Sequence, residues 1–195
     1  MAYGVRRLTA IGAGMNAFQW DLRYAPATEV RGLHIQTTDD FTEALLGPTV
    51  APGTYAVVLD YGQKTMRQSL HVTLDPRLHP DASALQARLG LATRISNTLD
   101  TLDRAVNSAL GERSLLTPDQ RAQVDNIVND TVQFKVASSE GDLLHELRLR
   151  DHLAFLMNSL DLAYQAPTAA EYATYDELRS HADADLARLR ALQHT

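Results

Sequence analysis

The best candidate for metal or acid/base chemistry is a group of three side chains, His145, Glu146 and His152. A zinc-protease helix carries its second histidine four residues after the first, and position 149 is a leucine here. Seven residues of helix span roughly 10 Å along the axis, which is too far for both imidazoles to bind one metal ion without intervening ligands. We therefore expect surface histidines and no metal site.

Two loop patterns also lack what their chemistry requires. Asp39, Asp40 and Glu43 offer clustered carboxylates for Ca²⁺, but the glycine and the alternating acidic positions of an EF-hand are missing. Gly12 and Gly14 are a lone glycine pair ahead of a predicted strand, whereas a dinucleotide-binding motif follows a strand and opens a helix. We expect a solvated loop at the first pattern and a turn at the second.

No nucleophile and base converge in the sequence. Ser114, Ser138 and Ser139 have no G-x-S-x-G context. Asp21 and Arg23 lie on the outward face of a predicted strand, where an ion pair is expected in place of an acid/base pair. The sequence therefore predicts no enzyme, with no catalytic, cofactor-binding or metal-binding residues and no cofactor.

The aromatic residues could form either a sugar platform or core. Trp20 falls between Phe18 and Leu22 on one face of the predicted strand, which favours burial. Tyr172 and Tyr175 occur at helical spacing and are predicted to be core. The remaining platform candidates are Tyr24, Tyr55 and Tyr61.

Strands and helices must both position these residues, because the spacing of the apolar residues changes near Pro76 from alternation to a step of three or four. Before it, apolar residues alternate in Phe18–Tyr24, and again on both sides of a turn at Asp60–Lys64, which predicts a hairpin that begins after Pro52-Gly53. Weaker strands are predicted at Val5–Leu8 and Leu33–Ile35, and Thr37–Leu46 is ambiguous. Residues 1–77 are thus predicted to form an antiparallel β-sandwich region of the immunoglobulin or fibronectin type.

After Pro76 the apolar residues recur every three or four positions, as in helices that bury one face. The first predicted helix begins at an Asp81 cap and stops at Gly111, the second follows Thr117-Pro118, the third runs from about Asp142 to Tyr164, and the fourth follows Pro167-Thr168. Residues 78–195 are therefore predicted to form an antiparallel four-helix bundle, which makes the chain an α+β protein. The first helix is expected to cover the sheet.

Composition excludes several classes of function. With 18 basic and 24 acidic residues the formal net charge is -6, so nucleic acid is not an expected partner. No stretch reaches the roughly 18 apolar residues that span a bilayer, and the N-terminus lacks the apolar region of a signal peptide, so no membrane partner is expected. The absence of cysteine leaves the compartment undetermined.

Four segments in a fixed order carry a resemblance to a known family. The segments are Val5–Leu8, Ala13–Tyr24, Gly47–Tyr55 and Leu74–Arg77, and Leu160-Asp161 and Ala166–Thr168 extend the likeness into the helical part. The chain resembles the tail of bacterial sortilin-like, Asp-box (BNR) repeat propeller proteins, often labelled glycosyl hydrolases. The strand part is also similar to the immunoglobulin-like domain of the flagellar hook-capping protein. The chain departs from the family at Ala17, where arginine is usual, and in the loop 32–46, which lacks the usual glycine- and aromatic-rich stretch.

The resemblance implies a non-catalytic accessory module, structural or docking, at the C-terminal end of a larger propeller-type protein. A periplasmic or exported parent is compatible with the sequence, and so is a cytoplasmic one. The implied partner is the parent propeller domain or another protein. The alternative is a module that binds a carbohydrate or a protein with its exposed sheet face or with the loop 37–46. An uncovered strand edge is expected to support weak self-association. No catalytic residue of the family is carried over.

Overall fold

The computed structural model describes residues 12–33, 46–79, 81–135, 145–162 and 164–193. Over these ranges the chain forms one two-stranded hairpin followed by four α-helices, with a short 3₁₀ turn after the first helix. The elements are β1 (Gly53–Tyr61), β2 (Lys64–Val72), α1 (Ala82–Glu112), the 3₁₀ turn (Arg113–Leu115), α2 (Pro118–Thr131), α3 (Leu149–Asp161) and α4 (Ala169–Gln193).

Local signals in the sequence start three of the helices. The Asp81 carboxylate accepts the backbone N–H of Ser83 and caps α1. Thr117 and Gln120 form a reciprocal capping box at the start of α2, and the Thr168 hydroxyl accepts the backbone N–H of Glu171 in the first turn of α4. Each cap satisfies backbone donors that have no partner inside the helix. These three predicted starts are confirmed.

Two predicted helix boundaries are wrong. α1 continues through Gly111 and ends at Glu112, because the chain goes directly into the 3₁₀ turn and makes no left-handed cap at the glycine. α3 begins at Leu149, well after the predicted start near Asp142, since residues 145–148 are not helical. The start of α3 is fixed by Asp151, whose carboxylate accepts the backbone N–H of Arg148.

The predicted apolar stripes form the core of the helical part. Ile95, Leu99, Leu102 and Val106 of α1 are fully buried. One cluster joins the middle of α1 to α3 and α4, and a second joins the end of α1 to α2 and α4. Burial of one leucine or isoleucine side chain stabilises the fold by about 1.5–3 kcal/mol, so these stripes hold the helices together. No helix in the described ranges is long and apolar enough to cross a membrane.

Residues 27–31 lie along α1 as an extended strap. Ala27 and Val30 are buried in the two helical clusters. The backbone N–H and the hydroxyl of Thr28 both donate to Asp100, at 2.9 and 2.6 Å. The Asn107 amide donates to the carbonyl of residue 29 and accepts the N–H of residue 31, both at 2.8 Å. The strap therefore fixes the N-terminal region to the helices through backbone hydrogen bonds.

The predicted β-sandwich over residues 1–77 is wrong for the described residues, where the only sheet is the two-stranded hairpin. Phe18–Tyr24 is not a strand, because Leu22 has a φ of 59° and a single bridge, Arg23 to Thr49, pairs the segment. The alternation of residue types was present, but a strand also needs a neighbouring strand along its length. Leu33 ends a turn, while Val5–Leu8 and 34–45 lie outside the described residues.

The expected packing of α1 on the sheet is also wrong. Extensive packing between elements in the described ranges joins helices to helices and β1 to β2. The hairpin thus projects from the helical part. The apolar stripe of α1 packs instead against α3 and α4 along its middle and against α2 and α4 at its end.

Candidate functional site

The hairpin β1–β2 carries six large apolar side chains that are exposed to solvent: Val57, Val58, Leu59, Tyr61, Met66 and Leu70. Its nine residue pairs run from Gly53 opposite Val72 to Tyr61 opposite Lys64, so the loop is only Gly62 and Gln63. Gly62 has a φ of 58°, a left-handed conformation that favours glycine in two-residue hairpin loops. The sequence therefore fixes the register of the two strands at the turn.

The strand period sorts the hairpin into two different faces, because successive side chains point to opposite sides. The polar face carries Asp60, Arg67 and other polar or short side chains, together with one exposed apolar residue, Val58. We call the other side the apolar hairpin face. It consists of Tyr55, Val57, Leu59 and Tyr61 of β1 and Met66 and Leu70 of β2.

The apolar hairpin face is uncovered along most of its length. The exposed fractions are 50% for Val57, 46% for Leu59, 66% for Tyr61, 56% for Met66 and 38% for Leu70. Three further side chains share this face: Gln68 opposite Val57 at its centre, Lys64 at its tip and Val72 at its base. A row of large apolar side chains that projects into solvent is typical of an interaction surface.

Trp20 closes the base of this face. Its ring meets Tyr55 edge to face, with 5.6 Å between the centroids, and its indole N–H donates to the carbonyl of Arg23 at 2.8 Å. The Tyr55 hydroxyl in turn donates to the carbonyl of Ala51. Trp20 is partly buried, so its predicted place in a sandwich core is corrected to a contact at the base of the hairpin.

A close backbone crossing holds the base to the helices. The N–H of Tyr24 donates to the carbonyl of Pro48 at 2.9 Å, and a Cβ on Gly47 would lie 1.9 Å from the carbonyl oxygen of Tyr24, so only glycine fits there. The Arg23 guanidinium donates to the carbonyl of Gly47 and to the Asp161 carboxylate of α3. The sequence predicted an ion pair on one strand face or across two strands, whereas Arg23 makes its ion pair with Asp161 of α3.

The histidine group is divided between a loop and a helix. His145 and Glu146 precede α3, whereas His152 lies within it. No three histidine, aspartate or glutamate side chains among the described residues are placed to hold a metal ion. Asp39, Asp40, Glu43, Ser138 and Ser139 lie outside the described residues, as does the loop 37–46 except for Leu46.

The other predicted residues have structural places. Ser114 is exposed in the 3₁₀ turn. The side-chain amide of Asn16 bonds to both backbone groups of Gly12 and to the carbonyl of Gly14, which confirms the predicted turn. Tyr175 is core, as predicted, and its hydroxyl lies 3.1 Å from that of Thr98. Tyr172 packs at the edge of the same cluster.

A shallow cleft of about 330 Å³ lies between α2, α3 and α4. Asp185 in its wall is held by the Thr131 hydroxyl and the Arg188 guanidinium. His152 and His181 also line the cleft and are exposed to solvent. Its charges are mixed in sign, and no serine, threonine, tyrosine or lysine side chain of the described residues lines it as a nucleophile.

The sequence reasoning missed a buried ion pair between α1 and α3. The Arg150 Nε donates to both oxygens of Asp103, at 3.0 and 3.1 Å, and both side chains are fully buried. Burial raises the pKa of Asp103 to about 6, against the opposing charge of Arg150. The signal was available, because Asp103 lies four residues after Leu99, within the apolar stripe of α1.

The guanidinium of Arg150 is only partly satisfied. Neither Nη1 nor Nη2 has a hydrogen-bond acceptor within the described structure, although both are buried. Buried donors without acceptors are costly, so the pair fixes the relative position of α1 and α3 at an energetic cost. Its carboxylate and guanidinium face each other inside the core, where no substrate reaches them.

The resemblance to the tails of propeller proteins stays a prediction. No protein-family model, curated protein or solved structure matches this chain.

Proposed function

We propose that this chain is a non-catalytic interaction module whose apolar hairpin face contacts a protein. The observation that carries the proposal is the row of large apolar side chains left in solvent by a hairpin whose base is firmly held. An isolated two-stranded hairpin is marginally stable in water, so covering one of its faces stabilises both the hairpin and the contact.

A protein suits the chemistry of this face better than a glycan does. Sugar platforms use exposed aromatic rings together with polar groups that orient hydroxyls. Here the ring of Trp20 is turned edge-on to Tyr55, and Tyr61 is the one aromatic side chain of the face that is mostly exposed. Val57, Leu59 and Met66 supply the rest of the surface, and aliphatic side chains bind other apolar side chains.

The non-catalytic part of the proposal rests on the sequence patterns, and the contact between the Thr54 hydroxyl and the His71 imidazole, at 3.1 Å, lies exposed on the hairpin and outside the lining of the cleft. We expect no turnover of chromogenic glycosides, esters or peptides by the purified chain. Turnover that survives extensive purification and is abolished by one point substitution would contradict this expectation.

The resemblance implies that this module follows a propeller domain in a longer protein, and we include that position in the same proposal. Asp-box repeats ahead of this chain in one reading frame would support it. A reading frame without such repeats would remove the propeller as the partner and leave the proposal for the hairpin unchanged.

The contact is tested with single cysteines, since the chain has none of its own. Val57→Cys places a thiol on the apolar hairpin face, and Val58→Cys, at 42% native exposure, places its matched control on the polar face. Maleimide labelling is compared between the dilute purified chain and the same variants in the native host. Protection of position 57 alone in the host is expected, and equal labelling of both positions in both settings would refute the proposal.

A further inference from the structure

We propose that the protein covering the apolar hairpin face is a second copy of this chain, with the two hairpins stacked face to face about a twofold axis. This inference rests on the proposed function and names the partner at the same surface. The stacked hairpins would form a small two-layer sandwich with its layers about 10 Å apart.

The exposed area is sufficient for such a contact. The five side chains of the face that are 38–66% exposed leave on the order of 500 Å² in solvent per copy, which is the size of the largest apolar patch on a typical monomer. Two copies together would bury about 1,000 Å², the lower limit for a specific interface. A reversible dimer of modest affinity is therefore expected.

The centre of the face favours an identical partner. Gln68 lies opposite Val57, in the middle of the nine paired rungs, with apolar rungs on both sides. A purely apolar partner would leave its amide without hydrogen bonds, which is costly on burial. An amide carries both donors and an acceptor, so two copies of Gln68 next to a twofold axis can satisfy each other.

The charges decide how the two hairpins are oriented. The chain carries a net charge of -6, so two helical parts placed side by side would repel. If the hairpin tips point in opposite directions, the helical parts are separated by about one hairpin length, roughly 30 Å for nine residues. Asp60 and Arg67 lie on the polar face, and Lys64 lies at the rim, so no charge is forced into the centre of the contact.

The first experiment measures mass by sedimentation of the full chain from about 1 µM to about 1 mM, a range that covers dissociation constants of modest dimers. A rise from monomer to dimer is expected. Val57→Lys should raise the dissociation constant by at least about tenfold, because it places a charge on the apolar face. Val58→Lys is the matched control and should leave the dissociation constant unchanged.

The second experiment tests the twofold axis. A short bismaleimide should join Gln68→Cys into a covalent dimer, because the two residues face each other across layers about 10 Å apart, which is too far for a direct disulfide. Ser69→Cys on the polar face should remain monomeric. Equal cross-linking of the two variants would overturn the stacked arrangement.

The outcomes separate this inference from the proposed function. The chain could stay monomeric throughout the concentration range while the thiol of the Val57→Cys variant is protected in the host. That result would overturn the proposal that a second copy covers the face, and it would leave a different protein as the partner. Association that Val57→Lys and Val58→Lys weaken equally would also overturn it, since the contact would then lie elsewhere or at the strand edges.

Discussion

The helical part and the hairpin use apolar residues in opposite ways. In the helices, residues such as Leu99 and Leu153 are fully buried between neighbouring helices. In the hairpin, residues of the same type, such as Leu59, are about half exposed, and within the described ranges neither strand packs extensively on a helix. The comparison indicates that the helices complete their own core within this chain, whereas the hairpin offers its apolar face to a partner.

The largest effect is expected at the ion pair buried in the helical part. Asp103→Ala leaves the Arg150 guanidinium buried without a partner and should lower the free energy of unfolding by about 3–5 kcal/mol. The double variant Asp103→Leu/Arg150→Met removes both charges and should restore most of that loss. Urea unfolding of the three proteins provides the measurement. A double variant that is no more stable than Asp103→Ala would contradict this account of the pair.

Two leucine truncations test the comparison directly. Leu99→Ala opens a cavity in the helical core and should cost about 2–5 kcal/mol. Leu59→Ala on the apolar hairpin face should change the stability of the dilute monomer by less than about 0.5 kcal/mol, as for most surface substitutions. Chemical denaturation at low protein concentration measures both. Similar costs at the two positions would show that the hairpin face is covered within the monomer.

Trp20 is expected to have an intermediate effect at the base of the hairpin. Trp20→Ala removes the edge-to-face contact with Tyr55 and the hydrogen bond to Arg23, and should cost about 1–2 kcal/mol. Amide exchange should accelerate in β1 and β2 and remain slow in α1. Phe18→Ala, which truncates an exposed neighbour, is the control. Exchange that accelerates equally in both regions would mean that Trp20 stabilises the whole chain.

The last test concerns the pH dependence of the buried pair. Because the pKa of Asp103 is raised from its ordinary value to about 6, the native state binds this proton more tightly than the unfolded state does. The contribution of Asp103 to stability therefore decreases as pH rises from about 4 to about 6. Hydrogen bonds from Arg104 and Thr28 outweigh burial and lower the pKa of Asp100, which acts in the opposite direction.

The contribution of Asp103 is isolated by comparing the wild-type chain with Asp103→Leu/Arg150→Met, in which Asp100 is unchanged. The stability of the wild type relative to this variant should fall between about pH 4 and about pH 6. A relative stability that rises over this interval would mean that Asp103 is charged at lower pH than its burial implies.

Some features of the fold could be predicted because their determinants are local. The caps at Asp81, Thr117 and Thr168 were recognisable, since a capping side chain bonds to a backbone group two or three residues away. The hairpin was recognisable from its alternation and its glycine turn. The strand predicted at Phe18–Tyr24 failed because a strand also needs a partner, and the sequence does not say which segment that partner is.

For the candidate site, the sequence predicted the two faces of the hairpin and the possibility of an exposed sheet face. It did not predict that the face would be uncovered, because this depends on where α1 packs. The packing of α1 against α3 and α4 removed the expected cover. The position of Asp103 in the apolar stripe of α1 indicated a buried carboxylate, but the sequence did not identify Arg150 as its partner, because the two residues meet only when α1 packs on α3.

The sequence by itself determined the periods, the caps, the hairpin register and the acidic charge, because each of these depends on residues close together in the chain. Only the tertiary structure decided which apolar surfaces cover one another. The four helical stripes are long enough to cover one another without the sheet, so they bury their own surface and leave the apolar hairpin face in solvent. Apolar surfaces compete for the same contacts, and no local sequence pattern shows which of them will pack together.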